Sequence, residues 1–392
     1  MALIPMLATL TLTTLAAPVA GQEPWQFRAS RPAKQGFDSQ KLDDAAAAIE
    51  QLVTDNELRG AVLFVARGRS IVLHEAYGHR DVAGKQAMQK DTLFRMASNT
   101  KAITAAAILT LVDQGKVSLD DPVHKWFPAW QDDAAKRINV RQLLTHSSGL
   151  RIGSLFMRPL MKKSKEHPDA PNLVLECDRF GTVGAKVEPG TTYSYSNPGY
   201  NTLAGIVEVA SGMSFAGYCD ATFYKPLDMR DTNHHETTAD ISRMSVVAYR
   251  VNKKWRARWA PGDAPTVPFV RGSGGLISTA RDYARFCRMV LDSGTSNDQR
   301  ILSKKTVAAA TKNQIRHIKG GRYGFGWRID PEGFSHSGSD GTFVWCDPER
   351  DLIGMVLTQT QRSKKLGPAR NQFRKDVSAA CVPTERVRKR LR

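Results

Sequence analysis

Two pairs of apolar runs, one near each end of the chain, constrain this sequence most. Ala61–Ala66 and Ile71–Tyr77 are rich in branched residues and are separated by Arg67-Gly68-Arg69-Ser70. Two such runs about a short polar, glycine-containing turn read as a β-hairpin. Thr342–Cys346 and Leu352–Thr358 repeat the pattern around Asp347-Pro348-Glu349-Arg350-Asp351. Between about Leu111 and Asp292 the chain offers helical patches, long loops and turn residues, but few clear strands. Helices flank the hairpins. Lys41–Val53 sets Leu42, Ala45, Ile49, Leu52 and Val53 at helical spacing, and a last helix sets Phe373, Val377, Ala380 and Cys381 on one face. The simplest fold is α/β of the α+β kind. One antiparallel sheet, flanked by helices, is built from both chain ends, and a mostly helical region is inserted between them. The expected division is a sheet-and-helix lobe over 35–110 plus 300–382 and a helical lobe over 111–299, with a groove between them. At 392 residues the chain suits two such lobes.

Ala2–Ala20 carries no charge and holds Leu7, Leu10, Leu12 and Leu15, after which Gly21-Gln22-Glu23-Pro24 turns polar. This predicts a signal peptide over 1–21 and an exported protein, periplasmic or extracellular, although no Lys or Arg precedes the run. No later segment is apolar enough to span a bilayer. Cys177, Cys219, Cys287, Cys346 and Cys381 are odd in number, scattered and without a Cys-x-x-Cys. They argue against a structural zinc site or a disulfide scaffold and read as small buried hydrophobes. The formal net charge is +18, part of it in Arg362–Lys375 and part in a basic tail over 383–392 that reads as disordered. Such charge favours anionic surroundings, for example wall polymers or glycans. No zinc-finger or RNP signature accompanies it, so no specific nucleic-acid partner is expected.

Three short elements carry the chemistry. In Ser98-Asn99-Thr100-Lys101 a serine precedes a helix whose residues Ile103, Ala106, Ala107, Thr110 and Leu111 lie on one stripe, ending at Gly115. A helix N-terminus offers free N–H groups to a developing oxyanion, and an amine three residues on can reach the hydroxyl. Tyr195-Ser196-Asn197 stands in a turn-rich loop before a helix over Asn201–Ala210. A phenol beside an ammonium can act as phenolate base, and Asn197 offers both a donor and an acceptor. In His336-Ser337-Gly338-Ser339, Gly338 would let a substrate backbone approach, Ser339 N–H could serve as second oxyanion donor, and His336 could donate a hydrogen bond or carry positive charge. Each element alone reads equally as a cap, a packed tyrosine or a turn. Together they supply what acyl transfer needs without a Ser-His-Asp triad. The adjacent His234-His235 looks exposed and has no metal-ligand spacing. No metal or organic cofactor is called for.

These elements, in this order, resemble the serine β-lactamase and penicillin-binding-protein superfamily, and within it the class C β-lactamase-like branch of esterases and D-amino-acid peptidases. The likeness spans about 40–380. It extends to Phe94-Arg95-Met96-Ala97-Ser98, Arg141–Leu150, Pro189-Gly190, Ser273-Gly274-Gly275-Leu276 and Tyr323-Gly324-Phe325-Gly326-Trp327. The resemblance implies Ser98 as nucleophile and Lys101 with Tyr195 for proton transfer. It further implies that Asn197 positions the acyl group and that the amides of Ser98 and Ser339 form the oxyanion hole. Class C β-lactamases have Lys-Thr-Gly where this chain has His336-Ser337-Gly338, so efficient β-lactam turnover is not expected. Three functions compete. The first is an esterase on small acyl substrates, the second a D-amino-acid peptidase on wall peptides, and the third a non-catalytic binding protein on the same fold. Arg151–Lys186 is expected to line the cleft and set specificity.

Overall fold

The computed structural model describes residues 25–150, 160–235, 240–265 and 267–382. The expected signal peptide and basic tail lie outside the described residues, as does the first part of the Arg151–Lys186 segment. The chain enters through β1 (Arg28–Ala29) and α1 (Ser39–Thr54), then forms β2 (Gly60–Arg67), β3 (Ser70–Gly78) and β4 (Phe94–Arg95). Helix α2 (Thr100–Asp113) leads into α3 (Val140–Leu144), α4 (Leu173–Phe180), α5 (Asn197–Ser211) and α6 (Phe215–Cys219). Next come β5 (Val247–Val251), β6 (Lys254–Trp259), β7 (Ile277–Ser278), α7 (Ala280–Leu291), the ribbon β8 (Thr295–Ser296) with β9 (Gln299–Arg300), and α8 (Lys304–Ala310). The C-terminal part runs β10 (Arg328–Asp330), β11 (Gly333–Ser337), β12 (Phe343–Asp347), β13 (Leu352–Thr358), β14 (Thr360–Gln361) and α9 (Leu366–Ala380).

The main sheet has the order β1-β3-β2-β13-β12-β11-β10. Strand β13 pairs antiparallel with β2 from Leu352 opposite Arg67 to Thr358 opposite Ala61, which joins the chain's ends. The exception to antiparallel pairing is the short edge contact of β1 with β3. Both faces are covered. Leu63, Val65, Trp345 and Val356 meet Leu42 and Ile49 of α1 and Phe373 and Val377 of α9. Val62, Phe64, Met355 and Leu357 meet the larger core under α2 and α7. Burial on both faces makes β2 and β13 continuous apolar runs rather than alternating ones, and so legible in the sequence. The fold class and both end hairpins are as expected.

Two features differ from the sequence reading. Helix α2 is buried from Thr100 through Leu111, not along one stripe, because it runs between the sheet and α5. Its end is as expected: Gly115 adopts φ +70° just past the helix. The middle of the chain contains the β5–β6 hairpin, whose turn residues Asn252 and Lys253 take φ +49° and +62°. Strand β14 extends it, pairing parallel to β5. All five cysteines are buried thiols.

Candidate active site

Ser98 lies in a single 3-10 turn, Ala97–Asn99, between β4 and α2. Ala97 has φ +46°, a backbone conformation costly for a residue with a Cβ. The surroundings hold it there. Thr100 Oγ1 donates to Ala97 O at 2.6 Å, and Asn99 Nδ2 donates to Met96 O and to Thr342 Oγ1 at 3.1 and 2.8 Å. Tyr283 of α7 donates to Asn99 O at 2.9 Å.

Lys101 sits in the first turn of α2 and is wholly buried. Its Nζ lies 3.1 Å from Ser98 Oγ, 2.8 Å from Asn197 Oδ1 and 2.7 Å from Ser273 O. Burial, with a smaller contribution from the charge on Arg271, pushes its pKa well below the ordinary lysine value. The contact set fits that direction. A neutral amine donates two protons and accepts one. Asn197 Oδ1 and Ser273 O can only accept, which leaves the lone pair to Ser98 O–H.

Tyr195 and Asn197 straddle the start of α5. Ser196 caps the helix, its side chain accepting from Gly199 N at 3.1 Å, and Pro198 stands in the first turn. The helix therefore starts at Asn197, four residues earlier than the sequence suggested. Asn197 faces Lys101 through Oδ1 instead of serving substrate with both amide atoms. Tyr195 exposes 42% of its surface to the cleft and lays its ring 4.7 Å from Lys101 Nζ. Loss of hydration nevertheless raises the phenol pKa; a hydrogen bond with Ser98 opposes the rise and Tyr193 adds to it. The expected resting phenolate is thus disfavoured.

His336 belongs to β11 and carries no charge at neutral pH. Burial, followed by the proximity of Lys101, lowers its pKa to about 3. Tyr323 O–H lies 2.9 Å from Nε2, and Nδ1 lies 3.0 Å from Ser337 O, so both ring nitrogens are occupied. This corrects the expectation of positive charge at His336. Gly338 also differs in its reason. A Cβ there would meet Thr342 Oγ1 at 2.3 Å and Met96 O at 2.6 Å. What approaches this glycine is the Met96-Ala97 segment just ahead of Ser98, and Ser339 lines the same cavities as Ser98.

Two cavities meet at the serine. One, of ≈ 850 Å³, runs along β11 toward α9, and the other, of ≈ 610 Å³, runs toward Asn197, Arg271 and Gly274. Ser98, Tyr195 and Ser339 line both. A reacting bond at Ser98 would have one substituent on each side.

His146 has no role in the sequence reading, yet it organises the site. It is wholly buried with φ +58°, and its Nδ1 accepts from Ser196 N at 3.0 Å. Its ring packs 4.3 Å from that of Tyr195 and 4.7 Å from that of Tyr323. Burial and then Lys101 hold it neutral. It was visible only as part of the Arg141–Leu150 likeness. Nothing local marks Tyr323 as the partner of His336. His234 is buried, not exposed: it stacks on Tyr224, whose hydroxyl lies 2.7 Å from Nδ1. Among the described residues, no group of three His, Cys, Asp or Glu side chains is placed to hold a metal ion. Among the same residues, no helix is long and apolar enough to cross a membrane.

The family model described as Beta-lactamase matches residues 45–379. Protein Rv1367c of Mycobacterium tuberculosis is 32% identical over 362 residues, covering 81% of this chain and 90% of its own length. Esterase EstB of Burkholderia gladioli is 34% identical over 244 residues, 60% of each chain. The solved structure of EstCE1, a hydrolase with promiscuous acyltransferase activity, matches with a TM-score of 0.71. Its identity is 21% over 86% of this chain and 99% of its own, which makes the likeness one of fold. With a serine, a buried lysine and a tyrosine converging where two cavities meet, and a family match over nearly the whole described chain, the protein belongs to the beta-lactamase family of β-lactamase-fold hydrolases.

Proposed function

We propose that this chain is an exported serine hydrolase that cleaves small ester or amide substrates through an acyl-enzyme on Ser98, with esters the favoured class. The observation that carries the reading is the contact set of Lys101 Nζ: two obligate acceptors and one hydroxyl about a buried, depressed amine. That arrangement suits a general base already aimed at its nucleophile. Similarity to an esterase supports the ester preference. The uncharged run at Ala2–Ala20 supports export, and the formal charge of +18 supports anionic surroundings such as wall polymers.

In this mechanism Lys101 takes the proton of Ser98 Oγ as the oxygen attacks the carbonyl. The amides of Ser98 and Ser339 stabilise the oxyanion. Tyr195, protonated at rest, gives its proton to the leaving group as the scissile bond breaks. The acyl-enzyme then holds a phenolate beside an ammonium, the state in which that phenolate is stabilised. Water attacks the acyl carbon and gives a proton to Tyr195. Ser98 leaves with the proton on Lys101, and both groups return to their starting forms.

The test is hydrolysis of p-nitrophenyl butyrate by wild type, Ser98→Ala and Lys101→Arg. We expect turnover in wild type and background in Ser98→Ala. Lys101→Arg, which puts a permanently charged group in place of the amine and cannot act as base, should lose about 10²–10⁴-fold. Equal rates in all three proteins would refute the proposal, and the non-catalytic reading would then lead. A D-alanyl peptide panel separates esterase from D-amino-acid peptidase.

A further inference from the structure

The larger cavity holds more positive charge than its surroundings neutralise. Arg328 at the start of β10, Arg362 just past β14 and Arg370 in α9 all line it. Its one lining carboxylate among the described residues, Asp330, is taken by Arg374 through contacts of 2.6 and 2.7 Å. Within the described residues no carboxylate pairs with Arg328, Arg362 or Arg370. Aromatic faces hold two of them instead: Arg362 lies 5.1 Å from the ring of Tyr249, and Arg370 lies 5.2 Å from that of Phe343. Arg370 is half-buried, and its Nε has no hydrogen-bond partner. Burial, and then the like charge of Arg328, lowers its pKa.

Arg328 and Arg362 are exposed and Arg370 is half-buried; gathering their like charges around one cavity costs free energy that a bound anion offsets, most of all at Arg370. A single carboxylate needs one guanidinium, which binds it bidentately. Three guanidiniums on one cavity, two of them, Arg362 and Arg370, held against aromatic faces, suit an anion with more oxygens and more charge. The first turn of α9, Leu366 and Gly367, lines the same cavity without a side-chain cap and adds donors of the same sign.

We infer that this cavity is a subsite for a phosphate-type dianion carried by the substrate, so that the esters or amides presented to Ser98 bear a phosphoryl group on one side of the scissile bond. The inference rests on the hydrolase reading for its meaning, but not for its measurement. Calorimetric titration of the full-length protein with phenyl phosphate, benzoate and inorganic phosphate at low salt reads binding without turnover. Phenyl phosphate should bind more tightly than either of the others by about tenfold or more, and Arg328→Gln and Arg370→Gln should each weaken it by about tenfold, the loss of one charge-assisted contact. Circular dichroism of both variants, together with Arg328→Lys as a charge-keeping change that restores part of the affinity, separates lost binding from lost folding. Equal binding of benzoate and phenyl phosphate would overturn the dianion assignment. Inorganic phosphate binding as tightly as phenyl phosphate would overturn the substrate assignment, and folded variants with unchanged affinity would overturn both. Failure of the hydrolase reading would show elsewhere, as equal ester turnover in wild type and Ser98→Ala.

Discussion

Lys101 is the residue on which the proposed mechanism turns. That mechanism needs its amine form, and burial lowers its pKa. Activity should therefore be present above the folded-state pKa of Lys101 and be lost as pH falls through it. A pH profile of kcat/KM should show one acid limb, lying below the ordinary lysine range, that is abolished with the activity in Lys101→Arg. His336 contributes no limb between pH 5 and 8, because it is already neutral there with a pKa of about 3. For the same reason it offers a β-lactam carboxylate neither charge nor a free ring N–H. We expect nitrocefin hydrolysis to stay near the uncatalysed rate; turnover typical of resistance enzymes would contradict this. Ser98, Lys101 and Tyr195 were legible because each lies in a short local pattern. His146 and Tyr323 were not, because their contacts join segments tens or hundreds of residues apart.

At the level of elements, the site depends on how closely the turn after β11 meets the turn before α2. Gly338 permits this, since its missing Cβ would otherwise collide with backbone oxygen at Met96. Gly338→Ala should destabilise by about 1–3 kcal/mol through overpacking. It should also lower kcat more than it raises KM, because Ser339 moves away from Ser98. Thermal unfolding and steady-state kinetics on one preparation check both effects. The hairpins β2–β3 and β12–β13 could be read from sequence because sheets covered on both faces demand long apolar runs. Hairpin β5–β6 could not. Its strand β6 is largely exposed and charged, and Asn252-Lys253 is a weaker turn signal than Asn-Gly. The start of α5 was misplaced because Ser196 and Pro198 act as cap and first-turn residues inside what looked like a loop.

The whole molecule is closed by its ends. Strands β2 and β13 share the sheet, and α1 and α9 cover one face together. Phe373 is 1% exposed and meets the ring of Trp345 edge-on at 5.8 Å. Phe373→Ala should cost about 3–5 kcal/mol, seen as a lower denaturant midpoint with both chain ends unfolding together. Loss confined to the C-terminal helix would show that the ends are not coupled. The sheet built from both ends was legible, since only strands at the ends were clear. The sequence left open which side chains would share the cleft, which is decided by packing between distant segments. The measurement that tests the central claim most directly is intact mass of the full chain during p-nitrophenyl butyrate turnover, followed by peptide mapping. We expect a gain of one butyryl group on Ser98 in wild type and none in Ser98→Ala. A butyryl group on another residue, or steady turnover with no adduct and no loss in Ser98→Ala, would contradict the acyl-enzyme on Ser98.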